Sequence, residues 1–225
     1  MQYTFFGHSS FLVEINGVRI IFDPFISPND LAKSIDVQSL RCDYILLSHG
    51  HGDHVADVET IARNSDATIV AAYELAAYYG GKNLKFHPMN IGGRWDFGKF
   101  EVKTVNAVHS SMLPDGTYSG NPLGFIVKGG GKSFYYSGDT ALTLDMQLIG
   151  SYNKVDRAFL CMGDNFTMGV DDAIVAAEFI KCNNITAMHF DTFPYIKIDH
   201  QKTIQKFESS GKTLLIPEIG KTYEL

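Results

Sequence analysis

The residues with the most chemistry in them lie together. Ser48-His49-Gly50-His51-Gly52-Asp53-His54 puts three imidazoles and one carboxylate into positions 49–54. Imidazole nitrogen and carboxylate oxygen are ligands for zinc and other divalent metals. Packed on one loop with nothing to hold, such groups would only lose solvation and crowd one another. The elements that must position them are readable on both sides. Asp43-Tyr44-Ile45-Leu46-Leu47 is an apolar run of β type and predicts a buried strand. From near Val55 the apolar residues of Val55-Ala56-Asp57-Val58-Glu59-Thr60-Ile61-Ala62 fall at helical spacing. The cluster is therefore expected on a tight loop between a core strand and a helix, with Gly50 and Gly52 easing the turn.

Three more residues join it from a distance. His109 follows an alternating stretch over residues 99–108. Asp139 stands in Ser137-Gly138-Asp139-Thr140 after a second apolar stretch, and His189 in Ala187-Met188-His189-Phe190 after a third. Each is expected at a strand end, where a rigid scaffold fixes a side chain that remains open to solvent. Taken alone, any one of them reads more readily as a hydrogen-bonded structural residue. Together with the loop they make a metal site.

The pattern His-x-His-x-Asp-His after an apolar strand resembles the metallo-β-lactamase superfamily. Gly7-His8-Ser9-Ser10 at one end and Met188-His189-Phe190-Asp191-Thr192-Phe193-Pro194 at the other narrow the likeness. They resemble the small bacterial metal-dependent hydrolases of the UPF0173 type, related to ascorbate-6-phosphate lactonase, over nearly the whole chain. The resemblance implies an α/β fold, a four-layer αβ/βα sandwich of two mixed β-sheets flanked by helices, with metals at one edge of the sheets. It implies that His49, His51 and His109 hold one divalent ion, that Asp53, His54 and His189 hold a second, and that Asp139 bridges them. The nitrogen and oxygen donor set suits Zn2+ first, then Mn2+, with Fe2+, Co2+ and Ni2+ as alternatives. Two such ions about 3.5–4 Å apart activate a shared water for attack on an electrophilic carbon or phosphorus. Asp53, Asp139 and His8 are the expected catalytic side chains: Asp53 orients the nucleophile, Asp139 joins the ions, and His8 acts as substrate contact or proton relay. Asp23, closing a strand before Pro24, is expected to accept a hydrogen bond from a ligand histidine. Asp164 and Asn165 fall in a segment expected to line the pocket without ligating. His87 and His200 read as structural and surface residues, and the aromatics of Phe193-Pro194-Tyr195 as packing more readily than pocket wall.

Composition bounds the rest. A chain of 225 residues with 45% hydrophobic residues suits one domain, residues 1–225, with a sizeable core. A net charge of −6 argues against nucleic acid as partner, because phosphate backbones demand clustered Lys and Arg. Cys42, Cys161 and Cys182 form no paired pattern and fit a reducing compartment. The start shows no basic and apolar leader, and no apolar run reaches membrane length, so the cytoplasm is expected, with no membrane partner.

Strands are expected over residues 3–6, 10–15 and 18–22, with Asn16-Gly17 as a two-residue hairpin. A short strand at 68–71, a helix at 73–79 and a strand at 84–86 precede the long strand at 99–108. Residues 110–122 read as a substrate-lining flap. Hairpin strands at 124–128 and 133–137 lead into regular alternation: helix 142–149, strand 158–162, helix 170–181, strand 186–189, helix 199–209, strand 213–216. The expected function is a metal-dependent hydrolase using a di-metal-activated hydroxide on a small-molecule ester, lactone or phosphodiester. The alternatives are a nucleic-acid-processing phosphodiesterase and a non-catalytic metal-dependent sensor or binding module. A homo-oligomer is compatible with the sequence.

Overall fold

A computed structural model describes residues 1–225. The chain begins with an antiparallel meander, β1 (Gln2–Gly7), β2 (Ser10–Ile15) and β3 (Val18–Phe22). Asn16 and Gly17, at φ +50° and +81°, turn it as the sequence predicts. It then switches to parallel strands with helical crossovers. These are β4 (Tyr44–Leu46), α1 (Gly52–Val55), α2 (Val58–Ser65), β5 (Thr68–Ala72), α3 (Tyr73–Gly80) and β6 (Phe86–Met89).

The second half repeats the scheme. β7 (Arg94–Asp96), β8 (Glu101–Asn106), β9 (Leu123–Gly129) and β10 (Lys132–Tyr136) are antiparallel. α4 (Asp145–Tyr152), β11 (Arg157–Cys161), α5 (Val170–Phe179), β12 (Asn184–Met188), α6 (His200–Ser209) and β13 (Thr213–Leu215) follow as parallel units. β14 (Thr222–Glu224) returns to pair with β1. The result is two seven-stranded mixed sheets, in the orders β14-β1-β2-β3-β4-β5-β6 and β13-β12-β11-β10-β9-β8-β7, with helices on their outer faces. No helix is long and apolar enough to cross a membrane.

The sheets meet through an aromatic core. Phe159 packs edge-on against Tyr3 and Phe11, at 4.9 and 4.8 Å between ring centroids, and against Phe134 at 5.4 Å. Tyr3 sends its hydroxyl from the first sheet to Thr186 Oγ1 of the second, at 2.9 Å, with both residues fully buried. A second cluster, built on Ile45, Leu47, Val58, Ile61, Leu75 and Tyr79, lies between the first sheet and its helices. Because both faces of each sheet are covered, strands such as β2 are buried almost throughout.

Several boundaries differ from the sequence reading. The strand expected over 99–108 is β8 and ends at Asn106, and the helix expected at 142–149 starts at Asp145. The helix expected from Val55 starts at Gly52, so Asp53 and His54 are helical. β7 was not expected: all three of its residues are exposed on an edge strand, so no alternation marks it. Nor was β14, which is defined by pairing with the opposite end of the chain.

Phe159→Ala removes the ring shared by three aromatic contacts and should cost about 3–5 kcal/mol of stability. Urea unfolding followed by circular dichroism will measure it, and a loss under 1 kcal/mol would show that the intersheet core does not depend on this ring.

Candidate metal centre

Every predicted ligand follows the carboxyl end of a strand, and those ends share one edge of the sandwich. Ser48 to His54 follow β4, His109 and Asp139 each lie three residues past β8 and β10, and His189 directly follows β12. His109 and Asp139 are thus loop residues rather than strand ends. The loops are held by close packing. A Cβ at Gly50 would stand 2.2 Å from Ser119 Oγ, so residue 50 must be glycine for room. Its φ is not left-handed, unlike that of Gly138, where a Cβ would also meet Ser48 Cβ at 2.8 Å. Gly52 meets only Pro114, at 3.5 Å, so the sequence argument for that glycine does not hold.

Besides a group of Asp23, His49 and His54, two groups of donor atoms stand out. Ligand atoms of His49, His51 and His109 lie within 4.8 Å of one another, as do those of His8, Asp53, His54 and His189. Asp139 sits between them. Its Oδ2 is 3.0 Å from His189 Nε2, 3.3 Å from His54 Nε2 and 3.7 Å from His109 Nε2. Asp53 Oδ2 is 3.8 Å from His189 Nε2 and 4.0 Å from His54 Nε2. The sequence-predicted residues are therefore brought together, with His8 beside Asp53, His54 and His189.

A hydrogen-bond network fixes which ring nitrogens point inward. Asp23 is fully buried at φ +38° and accepts from Ser48 N at 2.7 Å, Ser48 Oγ at 2.6 Å, Tyr136 Oη at 2.7 Å and His54 Nδ1 at 2.9 Å. The proton on His54 Nδ1 points to Asp23, so Nε2 is the ring nitrogen turned to Asp139. Since the Ser48 hydroxyl donates to Asp23, its oxygen accepts from His49 Nδ1 at 2.9 Å. His49 Nε2 is then a lone pair, 3.0 Å from His51 Nδ1. Two ligands of one tetrahedral ion at about 2.1 Å bonds would stand roughly 3.4 Å apart. His54 Nε2 and Asp139 Oδ1 are buried with no hydrogen-bond partner. A buried ring nitrogen and a buried carboxylate oxygen without partners, beside histidine and aspartate ligand atoms grouped within 4.8 Å, fit a cation, so the donor set passes as a metal site.

The charges agree. Burial pushes the Asp139 carboxyl up, but His189 and His54 outweigh it and hold it well below the usual carboxylate range. Burial opposes charge on His54 too, yet Asp139 and Asp23 raise it well above an ordinary imidazole. Without an ion, a protonated His54 supplies the missing positive charge. Burial lowers His49 well below its ordinary value, and lowers His51 and His109. Asp53 resists burial through its hydrogen bond to His8 and the charge of His54, and stays below the ordinary range.

His8 is 1% exposed and does not face the cleft. Its Nε2 donates to Asp53 Oδ2 at 3.1 Å, and its Nδ1 accepts from the Thr192 hydroxyl at 3.0 Å. Burial, then His189, bring it down to about 4, so it is neutral at pH 7. This position leaves no direct substrate contact for His8. The cleft above the ligands holds about 550 Å3 and is walled by Ser110, Phe166, Phe193, Pro194 and Tyr195. Of the segment around Asp164 and Asn165, only Phe166 faces it, and of the expected flap only Ser110 does. Elsewhere in that flap Ser111 braces the metal loop, its Oγ accepting from Gly50 N at 3.3 Å. Phe193 and Tyr195, expected as packing, are walls. His87 packs against Trp95 and Phe97, and His200 pairs with Asp191 at 2.6 Å. Sequence reasoning missed Ser48, Tyr136 and Thr192, whose residue types carry no signal away from their partners.

Comparison with known proteins gives a consistent picture. Residues 18–190 match the family model described as the beta-lactamase superfamily domain. A "UPF0173 metal-dependent hydrolase" of Flavobacterium johnsoniae is 53% identical over 225 residues, covering 100% of both chains. One from Bacillus subtilis is 43% identical over 233 residues, also covering 100% of both. Among solved structures, a metallo hydrolase of the hyperthermophilic archaeon Ignicoccus hospitalis superposes with a TM-score of 0.90 at 32% identity, covering 100% of this chain and 98% of that one.

Asp23→Asn keeps the volume but makes one oxygen a donor group facing Ser48, Tyr136 and His54. Metal affinity should fall about 10–100-fold, as for other residues that orient a ligand from behind. Competition titration against a chromogenic chelator will read this, and unchanged affinity would remove Asp23 from the centre.

Proposed function

The chain belongs to the beta-lactamase superfamily, among its UPF0173 metal-dependent hydrolases, and we propose that it hydrolyses a small-molecule ester, lactone or phosphodiester at a two-ion centre. The observation that carries this reading is Asp139 Oδ2 standing between a three-histidine group and a mixed Asp and His group, with His54 Nε2 buried and unpartnered beside it. In this reading His49, His51 and His109 hold one ion, Asp53, His54 and His189 hold the second, and Asp139 is shared. Zn2+ is the first choice for such donors and Mn2+ the second. When bound, such ions acidify water towards neutrality and polarise a substrate oxygen.

The chain's own residues do the rest. Asp53 is held ionised, so it accepts a hydrogen bond from the attacking water and orients it without keeping the proton. Neutral His8, buried between Thr192 and Asp53, fixes the angle of that carboxylate. Ser110 stands 3.3 Å from His51 Nε2 at the rim and offers a hydroxyl to bound substrate. The cleft volume suits a small molecule. Three buried, unpaired cysteines support a reducing compartment, the cytoplasm.

Elemental analysis should find two divalent ions per chain, and a chelator should abolish turnover of chromogenic esters, lactones or phosphodiesters, with recovery on adding metal. Asp139→Ala should cut turnover at least about 1000-fold while the protein stays folded by circular dichroism. Full activity in folded Asp139→Ala protein would refute the assignment.

A further inference from the structure

The cleft has a charged floor and an uncharged wall. Phe166 comes from the loop after β11 and Tyr195 from the loop after β12, and their rings meet edge to face at 6.3 Å and 79°. They are 52% and 75% exposed, although burial of such rings is strongly favourable. Phe193 and Pro194 continue the surface inward. Both loops are bent by left-handed residues other than glycine: Asp164 and Asn165 just before Phe166, and His189 and Asp191 before Phe193, at φ between +54° and +62°. Such conformations persist only where the surroundings enforce them. No lysine or arginine lines the cleft. Lys197, two residues beyond Tyr195, faces a separate cleft with Lys202 and Lys206.

Resting on the hydrolase reading above, we infer that the substrate carries an uncharged, apolar, preferably aromatic group remote from the bond that is cleaved, seated between Phe166 and Tyr195. The metal ligands can serve one polar or anionic centre, that of the reacting group. A second anion, such as the phosphate of a phosphorylated lactone, would be stripped of water against Phe166, Pro194 and Tyr195 with no cation to meet it. A ring or alkyl chain would cover those same side chains and gain roughly ten- to a hundredfold in binding. The reaction for an ester is ordinary hydrolysis. Water oxygen bonds to the carbonyl carbon, the carbon–oxygen bond to the alcohol breaks, and the leaving oxygen ends with a proton from that water.

Two 4-nitrophenyl esters with the same leaving group separate the alternatives: the 3-phenylpropanoate and the hydrogen succinate. With metal-loaded protein, kcat/KM for the phenyl ester should exceed that for the succinate ester at least tenfold. The ratio should collapse towards 1 in Phe166→Ala and Tyr195→Ala and invert in Phe166→Lys, all substitutions at exposed positions. Calorimetry with the two product acids should give the same order of binding. Turnover of both esters without preference, or a preference unmoved by the three substitutions, would overturn the inference while leaving the hydrolase reading intact. If neither ester is turned over but 3-phenylpropanoate binds in a Phe166-dependent way, the ligand class stands and the ester-hydrolysis reading fails. If neither is turned over and neither acid binds, both fall.

Discussion

The centre depends on one buried carboxylate that is not among the expected ligands. Asp23 gathers the donors of Ser48, His54 and Tyr136, and through Ser48 it also decides the proton position on His49. Two imidazoles thereby turn Nε2 towards the ligand cluster. An imidazole free of such partners places its proton on either nitrogen. Tyr136 ties this anchor to the second sheet: its hydroxyl also lies 2.8 Å from Ser9 O, next to the turn that carries His8. Ligand chemistry and sheet packing are therefore joined at a single side chain.

The fold makes this convergence possible by repeating one scheme twice. In each half an antiparallel meander runs into parallel strand–helix units, and the two sheets stack with their carboxyl strand ends on one edge. Loops at such ends are free to carry polar groups while the strands beneath are fixed by burial on both faces. Each half contributes part of the site: Asp23 and the 48–54 loop from the first, His109, Asp139 and His189 from the second. Neither half holds a full set of ligands.

The sequence made the ligands legible because metal binding restricts residue type so severely: a His-x-His-x-Asp-His loop has few other physical uses. Strand–helix alternation in the last third was equally legible, since burial on both faces leaves short unbroken apolar runs. What it hid was everything defined by distant partners. Tyr136 is one of several aromatics in a buried strand, and only its place opposite Asp23 distinguishes it. The 110–122 segment reads as a flap because it is polar and rich in Gly and Pro. Its real work is set by contacts of Ser111 and Ser119 with Gly50, about sixty residues away in the chain. Phe193 and Tyr195 read as core aromatics because they follow a buried strand, and only the loop beyond His189 sets them at the cleft. The glycine at 52 shows the opposite error, a residue type that invites an explanation its surroundings do not require.

The same arrangement that serves chemistry works against the bare protein. His54 Nε2 and Asp139 Oδ1 are buried without partners, and each unpaired buried polar atom costs on the order of 1–3 kcal/mol. A proton on His54, between Asp23 and Asp139, offsets part of that cost by standing where positive charge is wanted. An ion taking the Nε2 lone pair must displace that proton, so metal uptake and proton release are coupled at this ring. Binding to the folded state alone then adds its free energy to folding. The aromatic core between the sheets, rather than the centre itself, must hold the strand ends in register before any ion arrives. That division sets the packed aromatics around Phe159 and Tyr3 within the sandwich, and the left-handed backbone of Asp23, Asp164, Asn165, His189 and Asp191, with the exposed rings of Phe166 and Tyr195, beside the ligands.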